Sequence, residues 1–134
     1  MITSIYYAKN YCHSWYDPEK NVLVVKVFNL DLGIHRRKAF AANIEAIEKY
    51  KIKVMIMDSV GAMGHQDPTD TDWLIYTVFP EYKKQGIRLV VYTFPKNHIA
   101  KVGAKAWLDI ANKFGFDFLE VTSLEEAYAA SKGY

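Results

Sequence analysis

Cysteine is almost missing from this sequence, which has one, Cys12, among 134 residues. A single cysteine excludes an internal disulfide, and secreted domains of this size usually carry several, so we expect a reducing, cytoplasmic setting. Long apolar runs are missing too, since no stretch approaches the roughly 18 apolar residues of a membrane helix. The first residues lack a basic segment followed by a long apolar one. We therefore expect neither a targeting signal nor membrane insertion.

The sequence also lacks an excess of charge of one sign: 17 Lys and Arg stand against 15 Asp and Glu, giving a formal charge of +2. Nucleic-acid binding through a concentrated basic field is therefore not expected. A composition that is 51% hydrophobic and 24% charged is typical of an ordinary globular domain. A chain of this length needs neither a disulfide nor a structural metal to bury a core. With no repeat, linker or low-complexity segment, we predict a single domain over residues 1 to 134.

The most informative segment is a continuous apolar run at residues 53 to 58, which ends at Asp58. A run that is apolar on both faces indicates a central strand covered by helices on both sides. In open α/β sheets, ligand and partner sites lie at the carboxyl ends of the strands. Asp58 and the loop at 59 to 66 are therefore predicted to lie at the functional edge of the sheet.

The rest of the sequence predicts further strands alternating with helices. Asp67 and Pro68 suit the start of a second helix, Pro80 should kink or shorten its last turn, and Gly86 should end it. Ser123 and Glu126 form a capping box for a terminal helix. Segments 5–8 and 11–16 together are predicted to form the first arm of an antiparallel hairpin, and 22–28 its second arm. Later strands are predicted at 53–58, 87–94 and 116–121, and the other helices at 33–51 and 99–114. The predicted fold class is α/β: a mixed sheet of about five strands that opens with an antiparallel hairpin, later strands parallel, and four helices.

The first predicted helix has an apolar stripe and a basic start. Residues at three- and four-residue spacing should face the sheet, namely Arg37, Phe40, Ala41, Ile44, Ile47 and Lys51. Cations in the first turn, at 35 to 38, gain nothing from the helix dipole. They are interpreted either as a solvated face whose stems cover apolar surface, or as a surface for an acidic partner or an anion.

The element order and the motif Met57-Asp58-Ser59-Val60-Gly61 resemble the STAS domain, the module of sulphate transporters and anti-sigma-factor antagonists. In the antagonists this loop reads Asp-Ser-Ser-Gly or Asp-Ser-Thr-Gly, and a partner kinase phosphorylates the second hydroxyl residue. Val60 occupies that position here and cannot accept a phosphoryl group. The stretch from 58 to 80 is more similar to a divergent group of small stand-alone bacterial proteins. The resemblance implies a STAS-like fold and a regulatory role without this switch.

The sequence therefore predicts a non-enzymatic module that binds another protein; self-association into a homodimer stays open. Because no complete catalytic set is present, we predict no catalytic residue, no cofactor and no metal. Cys12 and His13 should face opposite sides of a strand and cannot chelate one metal. The partner-binding candidates are Asp58, Ser59, Gly61, His65, Asp67, Asp72, Trp73, Arg36 and Arg37.

Each of these candidates also has a structural interpretation. Asp67, Asp70 and Asp72 suit the first turn of a helix, and Asp58 suits hydrogen bonds from loop amides. Trp73 suits core packing or a self-association surface. Two other functions remain open. In a carrier of a small apolar or lipid-like ligand, the pocket would be lined by Tyr76, Phe79, Tyr92 and Trp107. In a small hydrolase, His65 would act with Asp58, Asp67 or Asp72.

Overall fold

The computed structural model describes residues 1–64, 67–96, 114–115 and 117–134. Its strands and helices follow one another along the chain as β1 (Thr3–Ala8), β2 (Cys12–Asp17), β3 (Val22–Val27), α1 (His35–Tyr50), β4 (Val54–Asp58), α2 (Pro68–Trp73), a π-helical segment (Leu74–Val78), α3 (Phe79–Lys84), β5 (Leu89–Thr93), β6 (Asp117–Val121) and α4 (Leu124–Ala130). The helix predicted at 99 to 114 lies almost entirely outside the described residues.

The strands form one six-stranded sheet in sequence order, from β1 to β6. The β1–β2 and β2–β3 pairs are antiparallel, and the later pairs are parallel. The predicted mixed sheet is confirmed, but the count of about five strands was too low. Segments 3–8 and 12–17 each form a full strand, because the chain reverses tightly between them at Asn10, whose φ is 69°.

β4 lies at the centre of the sheet, between β3 and β5, and is covered on both faces as predicted. One face, here called the α1 face, packs against α1 and the 68–84 helical region through Met55, Val90 and their neighbours. The other, here called the α4 face, packs against α4 through Ile56, Val91 and Ala127. Both faces of β4 are therefore shielded from water, and its last residue, Asp58, lies at the carboxyl edge of the sheet.

The buried side of α1 differs from the predicted stripe. Its buried residues are Ala39, Asn43, Ala46 and Ile47, whereas Arg37 and Ala41 are exposed. Two of the four buried residues are alanines, which let a helix approach the strands closely and contribute little hydrophobic signal to a sequence pattern. The stripe is rotated by about one residue relative to the prediction, which turns Arg36 inward.

The second helix begins at Pro68 as predicted and runs without a break to Lys84. Pro80 has no amide hydrogen and would clash with a carbonyl four residues earlier. The chain accommodates it with the π-helical segment directly before it, where the Phe79 amide donates to the Leu74 carbonyl. Gly86, with a φ of 105°, follows the end of the helix as predicted.

Candidate functional site

Asp58 ends β4 and is buried at the carboxyl edge, with 5% of its surface exposed. The Thr93 hydroxyl donates to Asp58 Oδ1 over 2.8 Å, and the Val60 amide donates to the same oxygen over 3.3 Å. The carboxylate therefore accepts one side-chain and one loop hydrogen bond. This is the structural role that the sequence offered for it.

Ser59 is held in the same network. Its amide donates to Thr93 Oγ1 over 3.0 Å, and its hydroxyl donates to the Thr93 carbonyl over 2.6 Å. Ser59 is also buried, so its hydroxyl is inaccessible to another protein in this conformation. Thr93, which the sequence analysis did not identify, therefore joins the end of β5 to Asp58 and Ser59 at the end of β4.

The loop after Ser59 is fixed to the segment that follows β3. The Met63 amide donates to the Phe28 carbonyl over 3.0 Å, and the Leu30 amide donates to the Met63 carbonyl over 2.9 Å. Gly64 has a φ of +75°, and a Cβ there would come within 2.5 Å of Asn29 Oδ1. The loop thus has a defined shape, and it presents the Met63 side chain, which is 58% exposed.

Asp67 caps α2, as its sequence position indicated. Its Oδ1 accepts hydrogen bonds from the Thr69 amide over 2.8 Å and from the Thr69 hydroxyl over 2.6 Å. Asp72 is exposed on the same helix. His65 lies outside the described residues, so the acid and base of the hydrolase alternative are not brought together by any described contact.

Arg36 is the main departure from the expected site. Its side chain is only 10% exposed, and its Nε lies 3.3 Å from Asp70 Oδ2. Its Nη2 donates to the Leu30 carbonyl over 2.9 Å. Burial lowers the pKa of Arg36, and the nearby Asp70 carboxylate opposes that shift. The solvated-face interpretation is therefore wrong for Arg36, which joins the starts of α1 and α2.

Arg37 remains on the surface and packs over Trp73. Its guanidinium carbon lies 4.4 Å from the Trp73 ring centroid. Trp73 also contacts Phe40 edge to face, with centroids 5.1 Å apart. The interpretation in which the side-chain stem covers apolar surface therefore fits Arg37. Trp73, at the end of α2, packs against α1.

Of the four residues predicted to line a ligand pocket, the three that the structure describes do not line a common pocket. Tyr76 is 78% exposed, whereas Phe79 and Tyr92 are buried in the core. Trp107 lies outside the described residues. The cavity beside Tyr92, which Arg36, Ser59 and Leu74 also line, has a volume of about 20 Å³. That space suits about one water molecule, which is far smaller than a lipid.

Cys12 and His13 lie on opposite faces of β2, as predicted. Cys12 is buried on the α1 face, while His13 Nε2 is 3.1 Å from the Ser4 hydroxyl. In the ranges that the structure describes, no three His, Cys, Asp or Glu residues are grouped as metal ligands. No helix within those ranges is both long enough and apolar enough to cross a bilayer.

Comparisons with known proteins support the fold alone. No protein-family model matches the sequence, and no curated protein matches it significantly. Among solved structures, apo-SiaC from Pseudomonas aeruginosa is similar, with a TM-score of 0.55 and 9% sequence identity. The similarity covers 92% of this chain and 99% of that chain. The chain therefore shares the overall α/β architecture of apo-SiaC across almost its whole length.

Proposed function

We propose that this chain is a STAS-like, non-enzymatic regulatory module, a single domain of the cytoplasm that binds another protein at the carboxyl edge of its sheet. The observation that supports the proposal best is the set of hydrogen bonds that the carboxylates at this edge accept from the protein itself. Asp58 accepts hydrogen bonds from Thr93 and Val60, and Asp67 caps α2. Carboxylates held in this way support the shape of the edge.

The surface proposed for the partner combines apolar and charged side chains around the loop after β4. Met63 and Ile34 are large, apolar and exposed, and Arg37 and Asp72 are exposed in the first turn of α1 and in α2. Exposed apolar groups with a charged rim are typical of protein-binding surfaces. Of the sequence candidates in the described ranges, Gly61, Asp67, Asp72 and Arg37 are exposed, whereas Asp58, Ser59 and Arg36 support the surface from below.

Binding at this edge is proposed to be independent of loop phosphorylation. Val60 has no hydroxyl, and the Ser59 hydroxyl is already donated to the Thr93 carbonyl. The concentration of the partner, and not a kinase that acts on the loop, would then control how much of the module is bound.

Affinity capture from the source cells tests this proposal. Wild type, Met63→Asp and Arg37→Glu are compared by quantitative mass spectrometry. The control is Ile2→Asp, at an exposed apolar residue that precedes β1 at the end of the sheet opposite the carboxyl edge of β4. The proposal expects at least one protein to be captured by wild type and Ile2→Asp and lost by Met63→Asp and Arg37→Glu. Equal capture of every protein by wild type and all three variants would contradict it, as would capture of no protein.

A further inference from the structure

Among the described helices, α4 alone packs on the α4 face of the sheet, and it covers one half of that face. α4 packs against β4, β5 and β6, and its buried Ala127 joins the cluster formed by those strands and β3. Within the described ranges, no other helix contributes to that cluster. Trp15 of β2 reaches this cluster from the side. Among the described residues no helix packs on the rest of the other half, which is formed by β1, the start of β2 and the end of β3 and is here called the bare half; it is lower than the covered half by one layer of helix.

The bare half carries a row of side chains that the strand register aligns. Tyr7 pairs with His13, and His13 pairs with Lys26, so the three side chains share this face. Tyr7 is 60% exposed, and its ring contacts that of His13 with centroids 5.2 Å apart. The Lys26 ammonium lies over the Phe28 ring, 5.8 Å from its centroid. The bare half is thus aromatic with a central cation.

The covered half carries the opposite charge. Glu125 and Glu126 lie in the first turn of α4 and are exposed. Leu119 of β6 and the terminal Tyr134 are also exposed, and the Tyr134 hydroxyl donates to Asp117 on the same half. This half therefore offers an acidic helix flanked by apolar side chains.

We infer that two copies of this chain associate through their α4 faces about a two-fold axis parallel to the strands, each α4 packing on the partner's bare half. Such an axis places the half of one copy that is covered by α4 opposite the bare half of the other copy. One layer of helices, about 10 Å thick, then fills the space between the two sheets. The acidic start of α4 meets Lys26, and Tyr7 is covered. A contact of this kind is self-complementary and closed.

The dimer uses the α4 face of the sheet, whereas the proposed partner surface is defined by Met63, Ile34, Arg37 and Asp72, so different variants test the two proposals. Sedimentation equilibrium of the purified chain measures the dimer dissociation constant for wild type, Lys26→Glu, Glu125→Lys and the double variant that exchanges both charges. Each single reversal should raise the dissociation constant about tenfold or more, because like charges then face each other. The double variant should recover most of the loss.

Lys84→Glu, an exposed reversal on α3, is the matched control and should leave the dissociation constant unchanged. Circular dichroism of each variant checks that it is folded. A wild-type chain that remains monomeric at all concentrations measured would overturn the inference. So would a dimer that Lys26→Glu and Lys84→Glu weaken equally, or one in which the exchanged charges fail to recover association.

Discussion

Thr93 holds Asp58 and Ser59 together: its hydroxyl donates to Asp58 Oδ1 over 2.8 Å while accepting from the Ser59 amide over 3.0 Å. Replacement by valine keeps the shape and removes both bonds in a buried site. We expect Thr93→Val to lower the free energy of unfolding by about 2–3 kcal/mol, because two buried polar groups lose a partner. Urea denaturation measures the change.

Thr93→Ser is the matched control, since it keeps the hydroxyl and loses only a methyl group. It should retain most of the stability that Thr93→Val loses. Equal losses in the two variants would show that the methyl group, and not the hydrogen bonds, stabilises the edge.

The buried pair of Arg36 and Asp70 predicts a second stability effect. Asp70→Asn leaves the Arg36 guanidinium in a largely buried site without its countercharge. Removal of one partner from a buried pair costs about 3–5 kcal/mol, and the partly exposed position of Asp70 reduces the expected loss to about 2 kcal/mol.

Asp72 lies two residues after Asp70 and is exposed, so Asp72→Asn removes the same charge without leaving a buried cation. Its free energy of unfolding should stay within about 0.5 kcal/mol of wild type. If Asp72→Asn destabilises the chain as much as Asp70→Asn, the Arg36 pair is not the cause.

Several features of the fold follow from short sequence signals. The run at 53–58 is apolar on both faces because helices cover both sides of β4, and Asp67 with Pro68 marks the start of α2. The capping box of α4 also forms, with Ser123 Oγ accepting from the Glu126 amide. The two helix-start signals are reliable because each depends on immediate neighbours in the chain. The apolar run is recognisable because both faces of one short strand are buried.

The role of Arg36 could not be predicted in the same way. Its partner Asp70 is 34 positions later in the sequence, and the pair forms only because the strands bring the starts of α1 and α2 together. The link from Asp58 to Thr93 is of the same kind, since it depends on the parallel register of β4 and β5. The separate β1 strand was also missed, because segment 5–8 alternates too weakly to be distinguished from the strand that follows it.

Tyr92 predicts a loss of stability at alkaline pH. Burial raises the pKa of Tyr92 to about 12. A raised pKa means that the fold favours the neutral phenol, so its contribution is complete below the unfolded value of about 10. The contribution is lost as the pH rises from about 10 through 12, at up to about 1.4 kcal/mol per pH unit.

Urea denaturation between pH 9 and 11.5 should therefore show a steeper fall for wild type than for Tyr92→Phe. Burial also raises the pKa of Tyr82, so some fall should remain in the variant. Identical slopes for the two proteins would contradict the predicted titration.

The claim that the carboxyl edge is the partner-binding surface is tested most directly by hydrogen–deuterium exchange of the chain alone and in complex with a captured partner. Amide exchange should become slower on binding at residues 60–64, at the start of α1 and in α2, and should stay unchanged in β6 and α4. Protection confined to β6 and α4, or protection that avoids the loop carrying Met63, would contradict it.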